Sequence, residues 1–321
     1  MLYCAALDDY QDVTRKMGDW RRLAGKVELK SFTRHFDDRD ELVAAIKDCA
    51  IVIAMRERTP FDRALLDRLP TLRLLITTGM RNASIDLETA VARGVTVCGT
   101  EAWAGTTAEL TWGLILGLLR FIPEEAANLR KGGPWQTTVG RDLRGRRLGV
   151  VGMGNLGTRV ARVGRAFDTP VSAWSRSLTP DKAKALDVDY CAELDDLLRA
   201  SDIVTIHVVL NKDTRGLIDA RRLGLMKPDA LLVNTARGPI VDEAALVKAL
   251  ESGRLAGAAL DVYGAEPLPA DHPFRRLPNV LATPHLGYVT ERTYQNYYKG
   301  VIEDIEAWLA GAPVRVLAKP A

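Results

Sequence analysis

The segment at residues 148–157, LGVVGMGNLG, limits the possible folds of this chain more than any other feature. Four apolar or small residues lead into the pattern G-x-G-x-x-G, and Val160 and Val163 follow it at helical spacing. This order predicts a strand, a tight turn and a helix, the arrangement that binds a dinucleotide pyrophosphate at the helix N-terminus. The alternative is a glycine-rich turn without a ligand. The loop residues assigned to cofactor binding are Gly152, Met153, Gly154, Asn155, Leu156 and Gly157.

The strand predicted at residues 171–174 lacks the acid that commonly follows such glycines by about twenty residues and binds the ribose hydroxyls. Ser175, Arg176 and Ser177 stand at its end instead. A guanidinium and two hydroxyls suit a 2′-phosphate, and the missing acid removes the repulsion that this phosphate would meet. We therefore favour NADP over NAD as the cofactor. Alternatively, Arg176 is a solvated residue that stacks on adenine or has no role.

Predicted strands alternate with predicted helices along nearly the whole chain, which is typical of mostly parallel α/β sheets. The first α/β unit covers residues 1–98, and a second begins near Arg146. A long helix is predicted between them at residues 106–131, and its apolar face either covers its own sheet or pairs with a second subunit. Strands are predicted at residues 1–7, 27–31, 51–54, 72–77, 95–98, 148–151, 171–174, 189–190, 203–207, 230–234, 257–260 and 280–282. Further helices are predicted at residues 40–47, 62–69, 86–93, 194–199, 243–252 and 290–309.

The composition excludes several classes of protein. The chain has 321 residues, enough for two domains, and 47% of them are hydrophobic and 26% charged. The net charge is +3 with both signs interspersed, so nucleic acid is not an expected partner. The longest apolar stretch, residues 110–122, is too short to span a bilayer, so no membrane partner is expected. The N-terminus lacks the basic region of a signal peptide, and we therefore expect a cytoplasmic protein.

The cysteines indicate no metal or redox chemistry. They are scattered singly and form no C-x-x-C pair, so neither a zinc site nor a redox pair is predicted, and no metal is expected. Most lie in apolar segments, where a thiol behaves as a small core residue. The four are Cys4, Cys49, Cys98 and Cys191.

Three short motifs in the second half of the chain carry residues suited to anion binding and acid–base chemistry. Arg237 follows a predicted strand at its carboxyl end, where α/β sheets bind ligands; Glu266 precedes a proline; and His285 lies in the segment TPHLG. Each alone is a weak signal, since such an arginine is more often in a salt bridge and such a glutamate on a surface loop. On spacing alone, the other histidines, His35, His207 and His272, are interpreted as structural or exposed.

Taken in order, these motifs resemble those of the D-isomer-specific 2-hydroxyacid dehydrogenase family, and the resemblance covers essentially the whole chain. It implies an α/β fold of two doubly wound parallel-sheet domains with a cleft between them. A Rossmann-type cofactor domain at residues 99–284 would be inserted into a flavodoxin-like substrate domain of residues 1–98 and 285–321. The matching segments are residues 152–157, 201–204, 234–238, 260–262, 266–267 and 284–287.

The chemistry of such an enzyme can be argued from these residue types. Reduction of a 2-keto acid needs a hydride donor, a proton donor and a carboxylate anchor, and nicotinamide supplies the hydride. His285 is the natural acid, since imidazole changes its charge near neutral pH, and Glu266 would stabilise the imidazolium. Arg237 would hold the substrate carboxylate and polarise its carbonyl through charge-assisted hydrogen bonds that contribute roughly 1.5–3 kcal/mol each.

The resemblance assigns further residues. The loop at residues 77–82 would bind the substrate carboxylate through backbone N–H groups, and Gly79, Met80 and Arg81 are its substrate-binding candidates. Family members usually carry small residues there, so Arg81 either binds a second acidic group or faces solvent, and we favour solvent. Asp261 would meet the nicotinamide carboxamide. The other residues assigned to the cofactor are Thr107, His207, Thr214 and Thr235.

These expectations describe an NAD(P)-dependent D-2-hydroxyacid dehydrogenase that acts as a homodimer through residues 106–131. Glyoxylate and hydroxypyruvate are the preferred substrates. Phosphoglycerate is possible, although the chain ends without the regulatory domain that many such enzymes carry. Formate oxidation is disfavoured because that relative places Gln where Glu266 stands. The alternative from another class is a nicotinamide-sensing binding protein related to transcriptional corepressors, which usually add Pro- and Ser-rich tails.

Overall fold

The computed structural model describes residues 1–103 and 105–320 and divides into two compact units. Unit 1 comprises Met1–Trp103 and Val289–Ala321, and unit 2 comprises Ala104–Tyr288. The domain boundaries predicted at 98/99 and 284/285 lie a few residues from this division, and His285 therefore falls in unit 2.

The strands and helices alternate as the sequence predicts. The strands are β1 (Leu2–Ala6), β2 (Val27–Ser31), β3 (Ile51–Ala54), β4 (Leu74–Thr77), β5 (Thr96–Gly99), β6 (Leu148–Val151), β7 (Val171–Trp174), β8 (Asp189–Tyr190), β9 (Ile203–Ile206), β10 (Leu231–Asn234), β11 (Gly257–Leu260), β12 (Val280–Ala282) and β13 (Val316–Ala318). The α-helices are α1 (Thr14–Met17), α2 (Arg39–Ile46), α3 (Arg63–Leu66), α4 (Leu87–Ala92), α5 (Thr106–Leu119), α6 (Ile122–Arg130), α7 (Asn155–Ala166), α8 (Pro180–Ala185), α9 (Leu194–Ala200), α10 (Ala220–Leu223), α11 (Glu243–Glu251) and α12 (Glu291–Leu309).

Unit 1 contains a six-stranded sheet in the order β13-β5-β4-β3-β1-β2. Strands β1 to β5 are parallel and have the 2-1-3-4-5 order of flavodoxin-like folds, and β13 pairs antiparallel with β5. Every residue of β3, β4 and β5 is buried, as expected for parallel strands covered on both faces. The carboxyl ends of these strands consequently form one edge of the sheet.

Unit 2 contains a seven-stranded parallel sheet in the order β12-β11-β10-β9-β6-β7-β8. The strand order reverses at β6, which pairs with both β7 and β9, as in dinucleotide-binding folds. Alternate strand residues face opposite sides, so that Val150 packs with α5 and α7 while Val151 packs with α9 and α11. The fold class predicted from the sequence is confirmed.

The prediction of a single helix over residues 106–131 is wrong. The structure has two helices, α5 and α6, and Phe121 between them has a left-handed backbone with φ of 51°. Pro123 lies in the first turn of α6. A proline there lacks the N–H that would continue α5, and its ring would clash with the carbonyl group four residues earlier. Proline is tolerated only in the first turn of a helix, so a new helix begins at Ile122.

Within residues 1–103 and 105–320, every helix is too short or too polar to cross a membrane.

Candidate active site

The glycine-rich loop joins β6 to α7, and a different geometric constraint explains why glycine stands at each of its three positions. Gly152 has φ of +104°, which disfavours any side chain. A Cβ atom on Gly157 would lie 1.8 Å from the carbonyl oxygen of Gly152, so only glycine permits this close packing. A Cβ atom on Gly154 would meet nothing within 4 Å, so its surface is open to a ligand. Gly154 is also the N-cap of α7 and provides no side-chain hydrogen bond, which leaves the helix N–H groups for an anion.

These differences predict opposite outcomes for two alanine variants of the loop. Gly157→Ala should destabilise the protein by about 2–3 kcal/mol, because a backbone atom must shift to admit the methyl group. Gly154→Ala should leave the melting temperature unchanged but weaken NADPH binding about tenfold, since its methyl group would occupy the path of a pyrophosphate. Thermal melting and a fluorescence titration with NADPH check both variants. Equal melting temperatures for the two variants would contradict the packing role of Gly157.

His207 lies at the carboxyl end of β9, where its carbonyl oxygen would be 2.8 Å from a Cβ atom on Gly152. Its Nε2 atom is 2.9 Å from Thr205 Oγ1. Its Nδ1 atom is buried and has no hydrogen-bond partner in the described part of the chain. Burial lowers the pKa of His207 to about 4, so the ring is neutral near pH 7. An orphaned buried nitrogen beside the glycine loop fits a contact with a bound dinucleotide.

Arg176 follows β7 and forms an ion pair with Asp213, in which Nη1 is 2.7 Å from Oδ2. A neighbouring cavity of about 310 Å³ is lined by Ser175, Ser177 and Lys182, together with Met153 of the glycine loop. Thr214, next to Asp213, is buried, and its hydroxyl donates to the carbonyl oxygen of Val209 at 2.7 Å. Two hydroxyls and two cations thus lie at the end of β7 beside the glycine loop.

Arg237 lies three residues beyond β10 in a turn fixed by Asn234. The Asn234 side chain accepts a hydrogen bond from the Ala236 N–H and donates one to the Arg237 carbonyl oxygen, each at 3.0 Å. The Arg237 guanidinium donates to the Ala236 carbonyl oxygen at 2.7 Å. Thr235 is buried, and its hydroxyl lies 2.9 Å from that of Thr111 on α5. The turn therefore presents Arg237 at the carboxyl edge of the sheet.

Gly238 brings this turn against the loop that carries Glu266. A Cβ atom on Gly238 would lie 2.0 Å from the carbonyl carbon of Tyr263, so glycine is required at this contact. The Tyr263 N–H donates to Glu266 Oε1 at 3.0 Å. Glu243 accepts a hydrogen bond from the Gly264 N–H at 2.9 Å and so fastens the same loop to α11. The loops after β10 and β11 therefore meet through backbone contacts.

His285 and Glu266 form a hydrogen-bonded pair. His285 Nδ1 lies 2.6 Å from Glu266 Oε2, and the two side chains are 16% and 25% exposed. His285 has a left-handed backbone with φ of 54°, a strained conformation that proteins commonly reserve for functional residues. The ring of Tyr288 packs edge-on against the imidazole at 5.5 Å. The predicted pairing of these two residues is present in the structure.

Asp261 positions the loop that carries His285. Its carboxylate, fully buried at the end of β11, accepts hydrogen bonds from the Leu286 N–H at 2.6 Å, the Gly287 N–H at 2.8 Å and the Thr283 hydroxyl at 2.6 Å. Burial raises the pKa of Asp261, and these hydrogen bonds oppose the rise. The Thr107 hydroxyl donates to the Gly287 carbonyl oxygen at 2.9 Å from the other side. The assignment of Asp261 and Thr107 to nicotinamide contacts stays a prediction.

The substrate-binding residues predicted at 77–82 lie in unit 1, in the loop after β4. Gly79 has φ of +111°, and its N–H donates to the Thr100 hydroxyl at 3.2 Å. That N–H is therefore already engaged, which leaves the N–H groups of Met80 and Arg81 as candidates for an anion. Both residues are exposed. Their role in substrate binding stays a prediction.

Arg56 is a candidate site residue that the sequence analysis missed. It follows β3 with a left-handed φ of 53°, and its guanidinium donates to the Thr78 carbonyl oxygen at 3.0 Å. It lies so close to Gly79 that Nη1 would be 1.9 Å from a Cβ atom there. A cation two or three residues after a buried strand was the signal that identified Arg237, and it applied equally to Arg56. Asp213 was not predicted because it meets Arg176 only when β7 and β9 flank β6, and Lys182 was not predicted although it lies only five residues after Ser177.

In the described part of the chain, no group of three histidine, cysteine or acidic residues could hold a metal ion, and all four cysteines are free. His35, interpreted as structural, lies with its Nδ1 atom 2.8 Å from the buried carboxylate of Asp8. His272 lies with Nε2 3.3 Å from Glu243 Oε1. Both histidines thus hold other side chains in place.

The glycine loop is shaped for a dinucleotide, and the His–Glu pair and the arginine at neighbouring strand ends are groups that a nicotinamide-dependent oxidoreductase needs. The family model for the D-isomer specific 2-hydroxyacid dehydrogenase, NAD binding domain, matches residues 112–287. The chain belongs to this family, and the predicted enzyme class, an NAD(P)-dependent D-2-hydroxyacid dehydrogenase, is confirmed.

Individual relatives agree with this assignment. The chain is 40% identical over 259 residues to the glyoxylate reductase of Aeropyrum pernix, covering 78% of this chain and 77% of that protein. It is 35% identical over 276 residues to the D-3-phosphoglycerate dehydrogenase of Methanocaldococcus jannaschii, covering 85% of this chain but only 52% of that protein. The chain thus spans about half the length of this dehydrogenase.

A solved structure shows the same fold. The crystal structure of phosphoglycerate oxidoreductase from Vibrio cholerae matches with a TM-score of 0.93 at 35% identity, covering 97% of this chain and 100% of that one. These findings do not favour the corepressor-like binding protein considered as an alternative.

Proposed function

We propose that this dehydrogenase reduces a small 2-keto acid, glyoxylate or hydroxypyruvate, to the D-2-hydroxy acid and prefers NADPH to NADH. The observation that carries the proposal is the 2.6 Å contact between His285 Nδ1 and Glu266 Oε2. His285 lies on a loop that Asp261 fixes, Glu266 lies on the loop after β11, and Arg237 follows the neighbouring strand β10. The three groups supply the proton donor, its stabilising carboxylate and the anion anchor that the reduction of a 2-keto acid requires.

The nicotinamide, when bound, supplies the hydride for the carbonyl carbon. His285 donates a proton from Nε2 to the carbonyl oxygen, since Nδ1 is occupied by Glu266. The Glu266 carboxylate stabilises the imidazolium before this transfer. In the reverse reaction the neutral ring accepts the hydroxyl proton. Arg237 stays protonated throughout, so it binds the substrate carboxylate and polarises the carbonyl group.

The glycine loop fits the cofactor, because Gly154 leaves open space and α7 offers unfilled N–H groups. Arg176, Ser175, Ser177 and Lys182 would surround the adenosine end. Cationic and hydroxyl groups favour a 2′-phosphate there, and no acid stands directly at the end of β7. This combination supports the preference for NADPH.

The choice of substrate is supported by the relatives. The glyoxylate reductase from Aeropyrum pernix is 40% identical to this chain, whereas the phosphoglycerate dehydrogenase from Methanocaldococcus jannaschii and the phosphoglycerate oxidoreductase from Vibrio cholerae are each 35% identical to it. Glyoxylate and hydroxypyruvate are accordingly placed before phosphoglycerate as substrates.

A reductase screen tests this proposal. Purified protein is assayed with glyoxylate, hydroxypyruvate, pyruvate and 3-phosphohydroxypyruvate, each with NADPH and NADH, by the loss of absorbance of the reduced cofactor. We expect the highest kcat/KM for glyoxylate or hydroxypyruvate with NADPH. A preference for NADH above about tenfold, roughly 1.4 kcal/mol, would contradict the role given to Arg176. Failure of all four acids to support turnover would overturn the reductase assignment.

We further propose a homodimer that covers α6 and the segment after it. Unusually for apolar side chains, Trp135 is 78% and Val139 92% exposed, and Ile122 and Leu129 are also exposed on α6. Such a patch is typical of a protein interface. Sedimentation should give twice the mass of the chain, and a Trp135→Ser, Val139→Ser double variant should sediment as a monomer.

We place the protein in the cytoplasm, which its four free cysteines support.

A further inference from the structure

We propose that Asp213 sets how strongly the protein discriminates between NADPH and NADH. It does so by competing with the 2′-phosphate for Arg176 and by supplying the acid that the end of β7 lacks. The inference rests on the proposed use of Arg176 as the 2′-phosphate contact.

The topology places Asp213 at the adenosine end of the cofactor site. Strands β7 and β9 flank β6 on opposite sides, so the loops that follow them lie on either side of the glycine loop at one edge of the sheet. Arg176 is in the first of these loops and Asp213 in the second. Their 2.7 Å ion pair therefore joins two loops that flank the strand leading into the glycine loop.

The backbone at Asp213 is held in place by its own turn. Asn211 Oδ1 accepts hydrogen bonds from the Asp213 N–H at 2.9 Å and the Thr214 N–H at 3.1 Å. The Thr214 hydroxyl accepts from the Asn211 N–H at 2.8 Å and donates to the Val209 carbonyl oxygen. The turn is therefore closed on both sides. The fixed backbone keeps Asp213 next to Arg176, so its carboxylate stays within reach of that guanidinium and of a phosphate bound to it.

The ion pair between Arg176 and Asp213 contributes little to folding, but it affects the binding of each cofactor. The two side chains are 56% and 52% exposed, and pairs of this kind contribute little to folding. A bound 2′-phosphate must take Arg176 from Asp213 and must also tolerate a nearby carboxylate of the same charge. NADH carries a ribose 2′-hydroxyl in place of the phosphate, and the Asp213 carboxylate can accept a hydrogen bond from it. In NAD-specific sites, an acid at the end of the corresponding strand accepts this hydrogen bond. Asp213 therefore weakens NADPH binding and strengthens NADH binding.

The test compares cofactor binding by Asp213→Asn, Arg176→Ala and the double variant with that of the wild type. Dissociation constants for NADPH, NADH and the fragment 2′,5′-ADP are measured by calorimetry, which does not depend on turnover. Asp213→Asn should bind NADPH and 2′,5′-ADP about threefold to fivefold more tightly, and NADH about threefold more weakly, so that the preference shifts about tenfold. Asp196→Asn, which loses the same charge from a pair with Arg199 on α9, is the matched control and should change neither constant.

The outcomes separate the two proposals. If Arg176→Ala leaves the ratio of NADPH to NADH affinity unchanged, the proposed 2′-phosphate contact is wrong. If Arg176→Ala lowers that ratio but Asp213→Asn alters it no more than Asp196→Asn does, the contact stands and the role of Asp213 is wrong. Asp213→Ser is a second variant in case the amide disturbs the turn, and melting temperatures without cofactor verify that each variant is folded.

Discussion

Replacing His285 with alanine is expected to lower kcat by about 10²–10⁴-fold, the usual effect of removing a positioned general acid. The variant should bind NADPH with the affinity of the wild type, because the glycine loop and the Arg176 region do not involve His285. The loss of kcat is expected because Glu266 occupies Nδ1 of His285, so that Nε2 is the nitrogen that exchanges a proton with the substrate. Steady-state kinetics and a fluorescence titration with NADPH measure the two quantities separately.

A second variant distinguishes proton transfer from positioning. Glutamine at residue 285 can still hydrogen-bond to Glu266 but has no proton to transfer at neutral pH, so His285→Gln should lose as much activity as His285→Ala. If either variant turned over within about threefold of the wild type, the role of His285 as the acid would be wrong. A fall in NADPH affinity that matched the fall in kcat would instead indicate a damaged cofactor site.

The fold could be predicted well because its buried strands are continuous apolar runs between turns. Residues 51–54, 148–151 and 257–260 are fully buried strands with the predicted bounds, and parallel strands covered on both faces have this apolar pattern. By contrast, β13 escaped notice. It has only three residues and gains its strand character from antiparallel pairing with β5, more than two hundred residues earlier in the chain.

The site could be predicted only as far as strand ends could be identified. The Arg237, Glu266 and His285 motifs each follow or adjoin a predicted strand, and the resemblance joined them into one site. The sequence did not show that both carboxylate oxygens of Asp261 would accept hydrogen bonds from the His285 loop, because this contact depends on β11 and β12 being neighbours. Asp213 was overlooked for the same reason, because it meets Arg176 only when β7 and β9 flank β6.

Arg237→Ala should lower kcat/KM for the 2-keto acid by about 10- to 150-fold or more, since one lost charge-assisted hydrogen bond contributes roughly 1.5–3 kcal/mol. KM should rise and kcat should fall together, because the guanidinium both binds the carboxylate and polarises the carbonyl group. The fold should survive, since Asn234 fixes the turn through backbone groups of Ala236 and Arg237.

The matched comparison is Arg237→Lys, which keeps the positive charge but loses the planar fork. It should recover part of the lost substrate affinity but little of kcat, because an ammonium group cannot bind a carboxylate through two parallel hydrogen bonds. Melting temperatures and NADPH affinities should match the wild type in both variants. An unchanged kcat/KM in Arg237→Ala would remove Arg237 from the site, and equal losses in both variants would show that geometry rather than charge anchors the substrate.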